Sequence, residues 1–390
     1  MTPAARVQAA IDVLDDWLAG TAAEQALTRW ARRSRFAGSK DRAAVRDHVF
    51  DVLRCHRSCR ALGGADTGRG LMLGLLRQTE IDPETLFTGS AYGPAALSSK
   101  ECQAGHVPDS PAEMLDIPDW LWPEFSASLG EEQAKVTANA LRSRAPVFLR
   151  VNTARITRTE AQSGLAAQGV RTEPHPEVAT ALRVLEGARR VAQSDLFLNG
   201  LVELQDASSQ AVIETLTLEL GMRVLDFCAG GGGKSLALAA LPGIKVFAHD
   251  IAPRRMHDLS HRARRAGADI QILTKADLAS VAPFDVVLVD APCSGSGSWR
   301  RAPEGKWSLT IEKLAGLRKV QAEILDEMDK YIAHQGVLAY ATCSVLKSEN
   351  IEQIQNLISR NSSYFFSWDK QWPVNDLGDG FFVSHLTRVN

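Results

Sequence analysis

Beyond Leu201 the chain alternates short β-branched runs with segments of helical period, and no other feature constrains the fold as tightly. Strands separated by helices must run parallel, each crossover packing back on the sheet. Strands are expected at 223–226, 245–249, 270–274, 285–289 and 337–341, with helices at 234–240, 253–266, 311–332 and 349–358. Phe381 and Phe382 read as a final core strand. An open sheet of this kind binds its ligand outside the carboxyl ends of its strands, where strand order reverses. The chemically suggestive residues of this chain fall at those ends.

The upstream half has a different texture. Residues 1–115 read as all-helical, with Val7, Ile11, Val13, Leu14, Trp17 and Leu18 at helical spacing and the pattern repeated over 43–53. Gly63, Gly64, Gly68, Gly93 and Pro94 punctuate the loops. From Pro146 a strand at 147–151, a helix at 160–168 and further short strands suggest a small α/β linker domain. Three domains follow, at 1–115, 116–200 and 201–390, which suits a chain of 390 residues.

Composition narrows the class. With 45% hydrophobic and 23% charged residues the chain is neither disordered nor collagenous. Its longest apolar stretches, such as 71–76, are far too short to span a bilayer, and the start lacks an apolar signal core. A soluble cytoplasmic protein is expected, its six cysteines reduced. The net charge of −2 hides an uneven distribution, since residues 28–69 hold eleven Lys or Arg against four acids. Such a stripe suits a phosphate backbone. It equally suits a solvated helix face laced by Asp41 with Arg42 and Asp47 with Arg46. Arg142, Arg144, Arg150 and Arg155 add to the basic inventory.

After the first strand comes Asp226-Phe-Cys228-Ala229-Gly230-Gly231-Gly232-Gly233-Lys234-Ser235. The glycines let a ligand approach the backbone where helix amides begin to point outward. A P-loop reading is supported by Gly233-Lys234-Ser235 and weakened by Cys228, which stands where its first glycine belongs. A dinucleotide fingerprint fails at Ser235, where a glycine is required. The third reading is S-adenosylmethionine, with an acid at the next strand end taking the ribose hydroxyls. Asp250 suits that role, and Asp277, after the third strand, suits the adenine amino group. Turn or helix-cap aspartates are the plainer alternative for both.

Asp290-Ala-Pro-Cys293-Ser follows the fourth strand and Tyr340-Ala-Thr-Cys343-Ser344 the fifth, so parallel neighbours present two thiols to one cleft. Cytosine C5 is a poor nucleophile. Methylating it requires a thiolate to add at C6, and a second group near C5 helps the proton leave so that the thiol can be eliminated. Asp290 would meet the polar edge of a base that has left its stack.

These motifs resemble the RsmB/Fmu (Sun) branch of RNA 5-methylcytosine methyltransferases. The resemblance covers nearly the whole chain: a helical part similar to the NusB fold, a linker domain, and a Rossmann-like methyltransferase domain. Asp226-Phe-Cys-Ala with Gly232-Gly-Lys234 resembles the family's cofactor loop, Asp290-Ala-Pro-Cys-Ser-Gly its fourth motif and Thr342-Cys-Ser344 its sixth. The resemblance implies Cys343 as nucleophile, Cys293 as the release cysteine, and Lys234 near the cofactor and the active-site carboxylate. The cofactor set expected from residues and resemblance together is Asp226, Cys228, Ala229, Gly230, Gly231, Gly232, Gly233, Lys234, Asp250, Arg255, Asp277 and Asp290. Gln205-Asp206-Ala-Ser-Ser209 resembles the family's lead-in to this domain. The implied substrate is RNA, small-subunit ribosomal RNA above all, with no membrane, metal or obligate protein partner. One departure is that the family's loop usually carries Ala-Pro where Gly230-Gly231 stand, which makes this loop more flexible.

Other readings compete. DNA cytosine-5 methyltransferases use a Pro-Cys thiol and a Glu-Asn-Val acid, which Pro292-Cys293 and Glu349-Asn350-Ile351 mimic. Against this, Ser294 replaces their usual Gln, Glu349 reads as the first turn of a helix, and Cys343 would be idle. Cys55, Cys59, Cys102 and His106 have spacings that could clamp zinc, but a helix puts the first two on one face for packing alone. His249 reads as a strand-end residue. Trp299, Arg300, Arg301, Lys306 and Trp307 combine cations and aromatics as single-strand RNA contacts do, or else form a packed tryptophan pair with solvated arginines. A non-catalytic RNA-binding assembly or antitermination-type factor is the alternative of a different class.

Overall fold

Thr2 accepts from Ala5 N at 3.2 Å and Pro3 occupies the first turn, so the helix Pro3–Leu18 begins with its orphan amides served. From this start the computed structural model describes residues 1–389. One unit comprises Met1–Arg144 with Trp299–Leu309, the other Ala145–Ser298 with the chain from Thr310 onward.

In the first unit five helices, Pro3–Leu18, Ala23–Arg33, Ser39–Arg54, His56–Gly63 and Gly68–Gln78, bury Val7, Leu14, Val45, Val49, Leu53, Leu71 and Met72 in one core. The last two pack at backbone contact. A Cβ on Gly63 would lie 1.8 Å from Gly70 O and one on Gly74 1.8 Å from Cys59 O, so only glycine fits either position. Helices continue as far as Glu131–Leu141. The basic stripe finds partners other than its sequence neighbours: Asp41 holds Met1 N and Arg6, Arg46 holds Glu24, and Arg144 holds Asp47.

Trp299–Leu309 completes this unit and corrects the RNA-contact reading of its residues. The last carbonyls of a helix have no partner of their own and carry partial negative charge. Here Trp307 Nε1 donates to Leu53 O at 2.6 Å and Lys306 Nζ to Arg54 O at 3.1 Å, while Arg54 Nε donates to Arg300 O at 2.8 Å. Trp299, Arg300 and Lys306 are buried. Of the cationic side chains in this segment only Arg301 is exposed.

The second unit contains two sheets. The smaller, β1 (Val147–Val151), β2 (Arg171–Pro174), β3 (Ala181–Glu186) and β4 (Val202–Leu204), is antiparallel in the order β2-β3-β1-β4. Its helix Arg158–Ala167 starts at a capping box of Thr157 and Glu160. The larger sheet takes β5 (Arg223–Asp226), β6 (Lys245–Ala248), β7 (Ile270–Ile272), β8 (Phe284–Asp290), β9 (Ile332–Thr342), β10 (Tyr364–Trp372) and β11 (Phe381–Arg388) in the order β10-β11-β9-β8-β5-β6-β7. The pairs β9-β8, β8-β5, β5-β6 and β6-β7 are parallel, whereas β11 runs antiparallel to β9 and β10 to β11. Strand order reverses between β5 and β8, which places Asp226 and Asp290 at neighbouring carboxyl ends. Val286, Val287, Leu288 and Val289 are all buried, as a strand covered on both faces requires.

The five parallel strands stand where the pattern put them, although β9 starts earlier, at Ile332. The expected helix at 253–266 is a short 3₁₀ turn, Pro253–Met256, followed by the helix Leu259–Ala266. Strand β10 was not anticipated. Among the described residues no helix is long and apolar enough to cross a membrane.

Candidate active site

The glycine loop is shaped by its own backbone. Gly230 and Gly232 take φ of +53° and +78°, which side-chain-bearing residues rarely adopt. Gly232 N closes on Ala229 O at 2.8 Å, and Ala229 N on His249 O at 2.9 Å. The helix Gly233–Ala239 follows directly, with no side chain capping its first amides.

Three carboxylates ring this loop. Asp226 is buried and accepts from Ser235 Oγ through Oδ2 at 2.6 Å, while its Oδ1 is buried without a hydrogen-bond partner among the described residues. Burial pushes its carboxyl up to about 6. Asp250, also buried, takes Ala252 N at 2.8 Å on Oδ1, and on Oδ2 takes Gly230 N at 2.9 Å and Arg255 Nη1 at 3.1 Å. Three of its roughly four acceptor positions are thus used. Arg255, 59% exposed, is the one partner free to move. Asp290 Oδ2 accepts from Lys234 Nζ at 2.6 Å, and the Phe381 ring centroid lies 5.2 Å from the same ammonium. Burial lowers the Lys234 ammonium, but the charge and hydrogen bond of Asp290 outweigh it and the net shift is upward. Lys234 therefore keeps its charge beside Asp290.

A buried carboxylate oxygen with no partner among the described residues suits a ligand with a cationic amino-acid end. This donor set fits S-adenosylmethionine, and Asp226, Asp250 and the loop backbone are the groups that would hold it. Cys228 is half-buried and its thiol is raised by burial, so it lines the loop as a packed neutral group. Asp277 is exposed and serves the capping box of the helix Lys275–Val281, its Oδ2 accepting from Thr274 N at 2.9 Å and Thr274 Oγ1 at 2.6 Å. The helix-cap alternative accounts for its geometry. His249 sits at its strand end with Nδ1 3.1 Å from Leu273 O.

Strands β8 and β9 bring Cys293 and Cys343 together, with Sγ to Sγ 3.5 Å. The two thiols are driven apart electrically. The hydrogen bond from Cys293 lowers Cys343, more than burial raises it, with Ser298 and Lys234 adding to the lowering. The same bond, and burial, push Cys293 well above its ordinary value. Of the pair, Cys343 is the more readily ionised thiol and Cys293 the one that keeps its proton.

Glu349, set aside in the sequence as the first turn of a helix, is instead the hydrogen-bonding hub of the two cysteine loops. It ends the short turn Lys347–Glu349 ahead of the helix Ile351–Arg360 and is completely buried. Its Oε1 accepts from Ser294 N at 2.8 Å and Gln321 Nε2 at 3.0 Å, and its Oε2 from Ser294 Oγ and Ser344 Oγ, both at 2.5 Å. One carboxylate thus ties together the residues that follow each cysteine. Asn350 adds Thr342 Oγ1 on its Oδ1 at 2.6 Å and donates Nδ2 to Ser344 O at 2.9 Å. The serine after each cysteine was the available signal, since two hydroxyls beside two thiols call for a common acceptor. The spacing that could clamp zinc does not form a site among the described residues: Cys55 and Cys59 are buried in the helical core, whereas Cys102 is exposed.

Residues 213–387 match the family described as 16S rRNA methyltransferase RsmB/F, and residues 117–192 match the ferredoxin-like domain of RsmF/B-like methyltransferases. Over 337 residues the chain is 30% identical to the ribosomal RNA small subunit methyltransferase B of Serratia proteamaculans, an alignment covering 82% of this chain and 73% of that protein. Its counterpart in Xanthomonas campestris is 35% identical over 293 residues, 70% and 67% of the two chains. Among solved structures, a methyltransferase homolog protein from Pyrococcus horikoshii shares the fold with a TM-score of 0.62 at 22% identity, over 72% of this chain and 98% of that one.

Proposed function

This chain belongs to the RsmB/F family of rRNA methyltransferases, which use S-adenosylmethionine to methylate RNA, and on that premise we propose that it methylates C5 of a cytosine in small-subunit ribosomal RNA through a covalent Cys343 adduct. The observation that carries the reading is the thiol pair at 3.5 Å with its opposed proton affinities, at the strand end next to the Lys234–Asp290 ion pair.

The Cys343 thiolate adds to C6 of an unstacked cytosine, and the C5=C6 electron pair becomes available at C5. Asp290, held by Lys234, meets the N3 and N4 edge and stabilises the charge that moves into the ring. Bound S-adenosylmethionine supplies the electrophilic methyl group. Once Cys343 is a neutral thioether, the leading cause that raises Cys293 is gone, so Cys293 can lose its own proton to solvent and, as a thiolate, take the one at C5. Electrons return to C5=C6 and the C6–S bond breaks, regenerating the Cys343 thiolate. The helical segment 1–115 and the small antiparallel sheet domain grip the RNA backbone in this reading.

The test is adduct trapping with a small-subunit rRNA transcript. Cys343→Ala should abolish turnover and adduct, while Cys293→Ala should accumulate an adduct stable to denaturing electrophoresis. An adduct that survives Cys343→Ala and disappears with Cys293→Ala would reverse the two roles. Bisulfite mapping of rRNA from cells with and without the protein identifies the base.

A further inference from the structure

The four glycines at 230–233 give the cofactor loop little rigidity of its own, because ordering glycine costs more backbone entropy than ordering any other residue. Yet two of its carbonyls are held by guanidinium groups from outside the loop. Arg150, a buried residue of β1, donates Nη1 to Gly233 O at 2.5 Å and also to Gln205 Oε1. Arg262, on the helix Leu259–Ala266, donates Nη1 to Gly231 O. Its Nη2 lies 3.0 Å from Oε2 of the buried Glu203, whose Oε1 takes Arg265 Nη2. In a trans peptide the carbonyl and the following amide point in opposite directions. Fixing Gly231 O therefore fixes Gly232 N–H, which closes the turn on Ala229 O at 2.8 Å.

We infer that Arg262, aimed by Glu203, is a positioning residue that pre-orders the glycine loop for S-adenosylmethionine. It supplies through a side chain the stiffness that Gly230-Gly231 do not supply through the backbone. Arg262 touches the loop and not the reacting atoms, so its loss acts on cofactor capture and not on the chemical step.

Gly231 provides the control. It lies outside the positive-φ region that its neighbours occupy, and a Cβ added there would meet only Arg262 Nη1, at 3.4 Å. Gly231→Ala in an Arg262→Ala background therefore restricts the loop without a clash.

The experiment is calorimetry of the full-length protein with S-adenosylmethionine, alongside amide exchange at 229–234 in the free protein. Arg262→Ala should weaken binding about tenfold, equivalent to ordering about one further residue. It should speed exchange in the loop and leave kcat at saturating cofactor unchanged. Adding Gly231→Ala should recover about threefold. Arg264→Ala, on the same helix and exposed, should change neither quantity. Unchanged affinity in Arg262→Ala, a fall in kcat with no change in affinity, or no recovery in the double variant would each overturn the inference. Should Arg262→Ala fold poorly, Arg262→Gln, which keeps one donor, is held to the same criteria with a smaller effect. Wild-type protein that fails to bind S-adenosylmethionine would instead count against the cofactor.

Discussion

Cys293 and Cys343, fifty residues apart in the chain, face each other at 3.5 Å with their proton affinities shifted in opposite directions. Iodoacetamide should therefore label Cys343 before Cys293, with an inflection in rate below the ordinary thiol value of 9.0. Cys293→Ala removes the donor and should slow labelling of Cys343 at pH 7. Peptide mapping after brief alkylation decides it, and preferential labelling of Cys293 would refute the assignment.

Glu349→Ala removes the carboxylate that accepts from Ser294 N, Ser294 Oγ and Ser344 Oγ, and leaves Gln321 Nε2 with Pro292 O as its acceptor. Each unsatisfied buried donor costs about 1–3 kcal/mol, so the loss is at least of that order. Glu349→Gln should cost less but still let the cysteine loops drift, lowering single-turnover rate by about tenfold or more, since misplacement of about 1 Å is enough to do so. Denaturant melts and single-turnover kinetics separate the two effects. A Glu349→Gln variant of wild-type rate would show that the carboxylate only stabilises the fold.

Asp226 titrates at about 6 in the folded protein against 3.8 ordinarily. The folded state then binds more protons than the unfolded state between these values. The stability this contributes is present below about pH 4 and is lost as pH rises through 6, an effect of about 3 kcal/mol. Asp226→Asn should flatten that decline, so that the variant gains on wild type at pH 8 while binding S-adenosylmethionine more weakly. Thermal midpoints at pH 4, 6 and 8 measure the first effect, calorimetry the second.

Lys306 behaves in the opposite sense. Burial lowers its ammonium to about 8 from 10.5, so the folded state holds fewer protons across that window. Stability should rise as pH climbs from 8 to 10.5, by about 3 kcal/mol in total. Lys306→Met should abolish the rise, as seen by amide exchange in the helix Ser39–Arg54. A variant with the wild-type slope would place the titration elsewhere.

The parallel strands and the glycine loop were legible because their signals are local: β-branched runs, turn residues and strand-end acids lie within a few positions of one another. What escaped was set at long range. Strand β10 exposes Phe365, Phe366 and Trp368, so it lacks the alternation that would mark it, and pairing with β11 makes it a strand. Glu349 read as the start of a helix because nothing beside it in sequence reveals its bonds to residues 294 and 321. Lys306 and Trp307 have the composition of a nucleic-acid surface, and only the terminal carbonyls of a helix some 250 residues earlier explain where they point.

That last arrangement has a consequence for biosynthesis. The helix Ser39–Arg54 leaves the ribosome with Leu53 O and Arg54 O lacking the partners they have in the finished protein, and those partners follow only when Lys306 and Trp307 have been made. Translation of the intervening stretch, roughly 150 residues beyond Arg144 at about 5–20 residues per second, takes about 8–30 s. For that interval the nascent helical unit is an incomplete body with an open seam, and its last piece arrives only after the Cys293 loop has been synthesised.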